Sequence, residues 1–331
     1  MGPRRIRWGI LSTSNIGAVA LIPAIRKSRN GEVRAVASRD LERARAFAAK
    51  HEIPRAYGSY PELLEAEDVD AIYNPLPNNL HCEWTVRAAE AGKHVLCEKP
   101  LAMNASECDA MDRAATAHGV KLMEAFMYRF HPRTMKVVEL IRSGVIGPLE
   151  SLQASFRFRL ERPGNIRLQP ELGGGALMDV GCYCVNLART LAGAEPVEAQ
   201  AFAVWAPTGV DARMAGTLRF ETGLLAQFDC ALTHERRETY VASGPLGDLV
   251  VCAAFVPGTG ETVIEEMHAR GEATRHLVPG ADEYREMTEH FADAVLGATA
   301  VRYPAAEASD NMRAIEALYR SARNGGRPEP V

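Results

Sequence analysis

Through the first 124 residues, short β-branched runs alternate with amphipathic helical stretches, and only a few residues separate one from the next. Residues 5–11, 33–38, 70–74, 93–97 and 120–124 read as strands by their brevity and their Val, Ile and Tyr content. Between them, residues 41–51 are helix formers throughout, and Ser59-x-x-Glu62 has the form of a capping box. Asn79 is expected to cap a helix over 80–91, with Gly92 just past its end, and Asn104-x-x-Glu107 opens another that ends near Gly119. Strands separated in this way by helices lie side by side in parallel, joined by right-handed crossovers. The expectation is a doubly wound parallel sheet.

Beyond residue 124 the pattern changes. A helix over 131–142, with Pro132 in its first turn and Gly144 after its end, leads into strand-like segments at 152–159, 197–206, 215–220, 224–232 and 247–256. One helix, around 177–192, interrupts them, and helical spacing returns at 284–294 and 308–323. This describes an α+β domain on an open, mostly antiparallel sheet. The fold class is therefore α/β, with a doubly wound domain over 1–124 and the α+β domain over 125–331. The tail, 324–330, reads as a loose end.

A chain of 331 residues, 47% of them hydrophobic, has enough apolar material for two packed cores. Lys and Arg total 38 against 42 Asp and Glu, which argues against nucleic acid or an anionic membrane as a partner. The longest apolar run, 16–25, is ten residues and contains Pro23, well short of the ~20 that a bilayer requires. A strand at 5–11 leaves no room for the apolar core of a signal peptide, and Ile6 stands where myristoylation at Gly2 needs Ser or Thr. Seven cysteines without a dense, even framework suggest reduced thiols in a cytoplasm.

The turn after the first strand is where a dinucleotide pyrophosphate would meet backbone N–H groups at a helix N-terminus. Here Ser12-Thr13-Ser14-Asn15-Ile16-Gly17 replaces G-x-G-x-x-G and keeps only the third glycine, so by pattern alone an ordinary strand–helix turn also fits. The second strand ends in Ser38-Arg39, a hydroxyl and a cation suited to a ribose 2′-phosphate, where an NAD enzyme would carry an acid; read alone, Arg39 also fits a solvated side chain. Asp40 is expected to begin the next helix. Glu98-Lys99-Pro100 follows a strand at the carboxyl edge of the sheet, where Lys99 could bond a substrate hydroxyl or simply form a surface ion pair. Asp179 and Tyr183 share a face if 177–192 is helical, and with an ammonium they would make a proton-transfer set, although such pairs are common.

Together these pieces resemble the glucose–fructose oxidoreductase, inositol dehydrogenase and rhizopine-catabolism (Gfo/Idh/MocA) family. The resemblance rests on Trp8-Gly-Ile-Leu-Ser-Thr-Ser-Asn-Ile-Gly17, Glu98-Lys-Pro-Leu-Ala102 and Gly173-Gly-Gly-Ala-Leu-Met-Asp-Val-Gly-Cys-Tyr183, and it spans essentially the whole chain. It implies a Rossmann domain followed by a domain whose open sheet serves oligomerisation and whose top covers the substrate. Pro75-Leu-Pro-Asn-Asn-Leu-His81 resembles the family's nicotinamide-side loop, which would make Pro77, Asn78 and His81 cofactor-binding, with Glu98 beside them. Lys99 would then polarise the substrate oxygen, with Asp179 in the same hydrogen-bond network. Where the inositol-dehydrogenase branch has histidine this chain has Tyr183, as in the dihydrodiol-dehydrogenase, xylose-dehydrogenase and glucose–fructose oxidoreductase branches, so the resemblance makes Tyr183 the expected acid/base. Ser12 and Ser14 depart from the family's glycines and put the cofactor geometry in question.

Arg129 and Arg167 flank these motifs and read equally as substrate contacts or structural ion pairs. Cys182-x-Cys184 and the histidines show no metal-ligand spacing, and no metal is expected. The expected activity is NADP-dependent oxidation of an aldose such as xylose or glucose at C1, with NAD a weaker alternative. Other readings are a trans-dihydrodiol dehydrogenase, a ketosugar reductase, or a non-catalytic NADP-binding regulator. The open sheet suggests a homodimer or a dimer of dimers.

Overall fold

The structure, a computed structural model, describes residues 4–162, 164–268 and 271–331, so Gly2 lies outside the described residues. The strands of the first half are β1 (Ile6–Leu11), β2 (Gly31–Ala37), β3 (Arg55–Tyr57), β4 (Ala71–Asn74), β5 (His94–Cys97) and β6 (Leu122–Glu124). They form one parallel sheet in the order β3-β2-β1-β4-β5-β6, with β1 at the point where the strand order reverses. Its connections include α1 (Ile22–Lys27), α2 (Leu41–Lys50), α3 (Tyr60–Leu64), α4 (His81–Glu90) and α5 (Ala105–Ala117). Local chemistry sets several helix starts. Asp40, Ser59 and Asn104 each accept from the backbone N–H three residues on, while Glu62 reaches back to accept from Gly58 N, one residue before the cap whose N–H a capping box would use. The expected Asn79 cap does not form. Residues Asn78–Leu80 tighten into a 3₁₀ turn, and α4 begins at His81 with Leu80 before it.

The second half contains α6 (Pro132–Arg142), β7 (Ser151–Arg159), α7 (Cys182–Ala192), β8 (Pro196–Trp205), β9 (Asp211–Phe220), β10 (Leu225–Ala231), β11 (Thr233–Gly244), β12 (Gly247–Cys252), β13 (Thr262–His268) and β14 (Ala273–Val278). The chain closes with α8 (Glu283–Val295), α9 (Ala305–Arg323) and β15 (Glu329–Pro330). Nine strands form the second sheet, in the order β14-β13-β12-β11-β7-β10-β9-β8-β15, antiparallel except where β7 and β10 run parallel. The tail is not loose. Arg320 Nη2 donates to the Pro330 carbonyl at 2.6 Å and Gln200 Nε2 to that of Gly326 at 2.7 Å, so β15 pairs with β8 at the sheet edge.

Two compact units result, Met1–Met127 with Asp282–Ser309, and Tyr128–Ala281 with Asp310–Val331. The first cut falls three residues past the division expected from the sequence. The return of Asp282–Ser309 to the first unit has a physical cause. The Trp8 and Phe291 rings pack with centroids 5.5 Å apart, and Asn30 Nδ2 donates to the Glu289 carbonyl at 2.9 Å and to Asp293 at 2.8 Å. Among the described residues no helix is long and apolar enough to cross a membrane.

Candidate active site

In the first unit the candidate residues gather at the carboxyl ends of β1, β2, β4 and β5. Ser12 takes φ +74°, the left-handed conformation that glycine usually supplies, and its N–H donates to the Ala37 carbonyl at 2.9 Å. Ser14 caps the helix that follows, accepting from Gly17 N at 3.2 Å. A Cβ on Gly17 would stand 2.9 Å from that hydroxyl, which is why the third glycine is retained. The turn therefore keeps the tight path of a glycine turn despite two serines, with a helix N-terminus at its end. Thr13, Asn15 and Ile16 lie within it.

Ser38 is buried at the end of β2, and its hydroxyl accepts from Asp40 N at 3.3 Å. Asp40 is the N-cap of α2, as expected. Arg39 is exposed beside the Tyr60 hydroxyl. Sequence reasoning missed Arg43, whose Nε donates to Thr13 Oγ1 at 2.8 Å and ties α2 to the 12–15 turn. Its signal was its place four residues after Arg39, at the start of a helix. Two cations near a helix N-terminus oppose the macrodipole and suit a site that receives an anion.

Asn74 ends β4 and holds the next loop, accepting from Leu76 N and donating to Thr85 Oγ1 at 3.2 Å. Pro77 and Asn78 sit in that loop, half-buried. His81 is wholly buried, with Nε2 2.8 Å from the Leu76 carbonyl and Nδ1 3.0 Å from the Pro100 carbonyl. Burial lowers its pKa despite those carbonyls, so the ring pins the loop to the turn at 98–101. In that turn Glu98 accepts from the Tyr73 hydroxyl, and Leu101 N donates to the buried Glu124 at 2.7 Å. Burial and the Glu98 carboxylate both raise the Tyr73 hydroxyl's pKa, keeping it a donor. Lys99 is half-buried in this turn, and its peptide bond to Pro100 is cis.

The second unit carries the remaining candidates. Asp179 lies in a π-helical turn, Leu177–Gly181, that runs directly into α7; such bulges are frequent at functional sites. Its Oδ2 accepts from Arg167 Nε at 2.6 Å, and Arg167 rises from a 3₁₀ turn capped by Asn165. The guanidinium also lies 5.8 Å from the Phe158 ring centroid. Sequence reasoning named both residues without pairing them. Tyr183 is buried among aromatic rings, with centroids 5.2 Å from Phe156, 5.4 Å from Phe255 and 5.8 Å from Tyr128. That cage fixes its ring plane. Tyr128 is itself held by a 2.7 Å bond from its hydroxyl to Asn186. Arg129 is buried in the 3₁₀ turn Met127–Phe130. All seven cysteines are free thiols, and no described cluster of His, Cys, Asp and Glu fits a metal ion.

Comparison with known proteins follows the same division. A family model described as an oxidoreductase family with an NAD-binding Rossmann fold matches residues 6–126, and the GFO/IDH/MocA C-terminal domain matches residues 134–253. The chain is 40% identical to D-xylose 1-dehydrogenase (NADP(+)) 2 of Haloferax volcanii, over 97% of its own length and 99% of that protein. It is 37% identical to trans-1,2-dihydrobenzene-1,2-diol dehydrogenase of Danio rerio, over 75% of each chain. The crystal structure of a 3-ketoreductase from Actinomadura kijaniata, in complex with NADP and TDP-benzene, matches with a TM-score of 0.91 at 32% identity, covering 96% of this chain and 98% of that one. This chain thus belongs to the Gfo/Idh/MocA family of oxidoreductases.

Proposed function

We propose that this protein is an NADP(H)-dependent oxidoreductase acting on a sugar carbinol, with an aldose such as D-xylose oxidised at C1. The observation that carries the reading is its end-to-end similarity to an NADP-dependent D-xylose 1-dehydrogenase. The chemistry of the first unit agrees with it, since Ser38, Arg39 and Arg43 offer a hydroxyl and two guanidinium groups near one turn, a set suited to a 2′-phosphate. The turn 12–16 receives the pyrophosphate, while Pro77, Asn78 and Glu98 flank the nicotinamide and His81 holds their loops. Bound nicotinamide supplies the hydride acceptor.

The protein's own residues manage the oxygen and its proton. Lys99 donates to the carbinol oxygen and stabilises negative charge developing there. Tyr183 takes the hydroxyl proton as hydride leaves. Asp179, held by Arg167, orients the substrate hydroxyls, and Arg129 is a further candidate contact. In this reading the first unit is the cofactor domain, and the second binds substrate and forms a homodimer or a dimer of dimers. The seven free thiols suit a reducing cytoplasm.

The test is the rate of NADPH formation, followed by its absorbance, with NADP or NAD and a panel of aldoses, ketosugars and trans-dihydrodiols. Turnover with D-xylose or D-glucose and NADP is expected. Turnover confined to a dihydrodiol, or seen only as NADPH consumption with a ketosugar, assigns the same machinery to a different substrate. A flat trace throughout, with NADP still bound, makes the protein a regulator.

A further inference from the structure

The triple glycine ahead of Asp179 marks a contact that no motif announces. Asp211 opens β9 and is 1% exposed. Its Oδ2 accepts from Leu177 N at 2.7 Å, and its Oδ1 accepts from the Tyr319 hydroxyl of α9 at 2.7 Å. Leu177 is the first residue of the π turn that carries Asp179, and Ala176 before it gives the helix no side-chain cap. A carboxylate from another element supplies what the local sequence lacks, an acceptor and a negative charge at the helix N-terminus.

The backbone around this contact is built for close approach. Gly175 has φ +126°, and a Cβ there would stand 2.1 Å from Asp211 Oδ1. A Cβ on Gly174 would stand 2.5 Å from the Arg167 carbonyl, to which Gly175 N donates at 2.9 Å. The Arg167 turn, the helix start and the β9 carboxylate are therefore stacked without space for a single methyl group. Arg167 and Asp179, which form the ion pair, are the side chains this stack carries. Burying a carboxylate is costly, so a site that retains one where an amide could cap the helix points to a demand on geometry.

We propose that Asp211 is a positioning residue, its carboxylate joining β9, α9 and the start of the active-site helix so that Asp179 and Tyr183 leave that helix in fixed directions. The inference rests on the roles given to Asp179 and Tyr183 above.

Hydrogen–deuterium exchange on the full-length Asp211→Asn and Tyr319→Phe variants tests it together with kinetics. In Asp211→Asn, exchange across residues 175–183 should rise about ten-fold or more while peptides from β10 and β11 stay unchanged. The kcat for the sugar should fall about ten-fold with NADP affinity within about two-fold of wild type, and adding Asp211→Asn to Asp179→Asn should cost little more. Tyr319→Phe should move both readouts the same way by less. Unchanged exchange over 175–183, exchange rising throughout the second unit, or local loosening with kcat intact would each overturn the proposal. Local loosening in a protein whose wild type turns over no sugar would retain the tie between β9 and the helix but remove its catalytic purpose, and it is the proposed function that would then have failed.

Discussion

Ser12 holds a glycine's backbone conformation with a Cβ attached, which costs on the order of 1 kcal/mol and marks this turn as held by its surroundings. The serine pattern left it open whether the turn could keep its shape, because the support comes from Ala37 across the sheet. Arg43 was illegible for a related reason, since its meaning depends on α2 bringing it against Thr13. The position of Ser38-Arg39, just after β2, was legible because a strand end in a parallel sheet has only one place to be; its role remains the proposal made above. Arg39→Ala should weaken NADP by roughly 2–3 kcal/mol and leave NAD nearly unaffected, as expected for a charge-assisted contact to the 2′-phosphate alone. Arg43→Ala should act in the same direction. Dissociation constants for both cofactors, measured by fluorescence titration, check this, and equal weakening of NAD and NADP would remove Arg39 from phosphate recognition.

Strands β1, β2, β4, β5 and β6 were readable as short, nearly continuous apolar runs buried on both faces of a parallel sheet, whereas β3, three residues with Arg55 exposed, was not. β11 was not, because its first half, Thr233 to Arg237, is largely exposed and charged, and the alternation reaches the core only at Glu238, Tyr240 and Ala242. β13 and β14 likewise present charged faces near the sheet edge. The helix start at Leu177 depends on Asp211, which lies 34 residues away in sequence. Burial lifts the Asp211 carboxyl from its ordinary 3.8 to about 6, against the bonds from Leu177 N and Tyr319 that favour its charge; Cys230 also faces it, and Arg323 lies over the Tyr319 ring. A raised carboxyl pKa means that the folded state holds the proton more tightly, so this group's contribution is fully present below pH 4 and is lost as pH rises through 6. Relative to Asp211→Asn, the wild type should therefore lose up to about 3 kcal/mol of stability between pH 4 and 7. Denaturant titrations of both proteins at several pH values check this, and a difference constant across that window would contradict it.

The texture of the sequence changes near residue 124, but helical spacing does not say which sheet a helix will cover, and Asp282–Ser309 falls in the first unit. The second sheet leaves Phe202 63% and Val204 49% exposed on one face of β8, an apolar surface of the kind that normally marks an interface. The proposed symmetric dimer predicts sedimentation at twice the 36.1 kDa chain mass, or four times it, at micromolar concentration, and a monomer would contradict it. In the proposed reaction hydride passes from an aldose C1 to NADP while Tyr183 takes the proton. The decisive measurement is the rate at which deuterium passes from C1-labelled D-xylose into NADPH, in wild type and in Tyr183→Phe. The prediction is label in the nicotinamide for the wild type and a rate ~10²–10⁴-fold lower in the variant with NADP affinity nearly unchanged. Unlabelled NADPH would exclude hydride transfer from C1, and a variant that transfers deuterium at the wild-type rate would remove Tyr183 from the reaction.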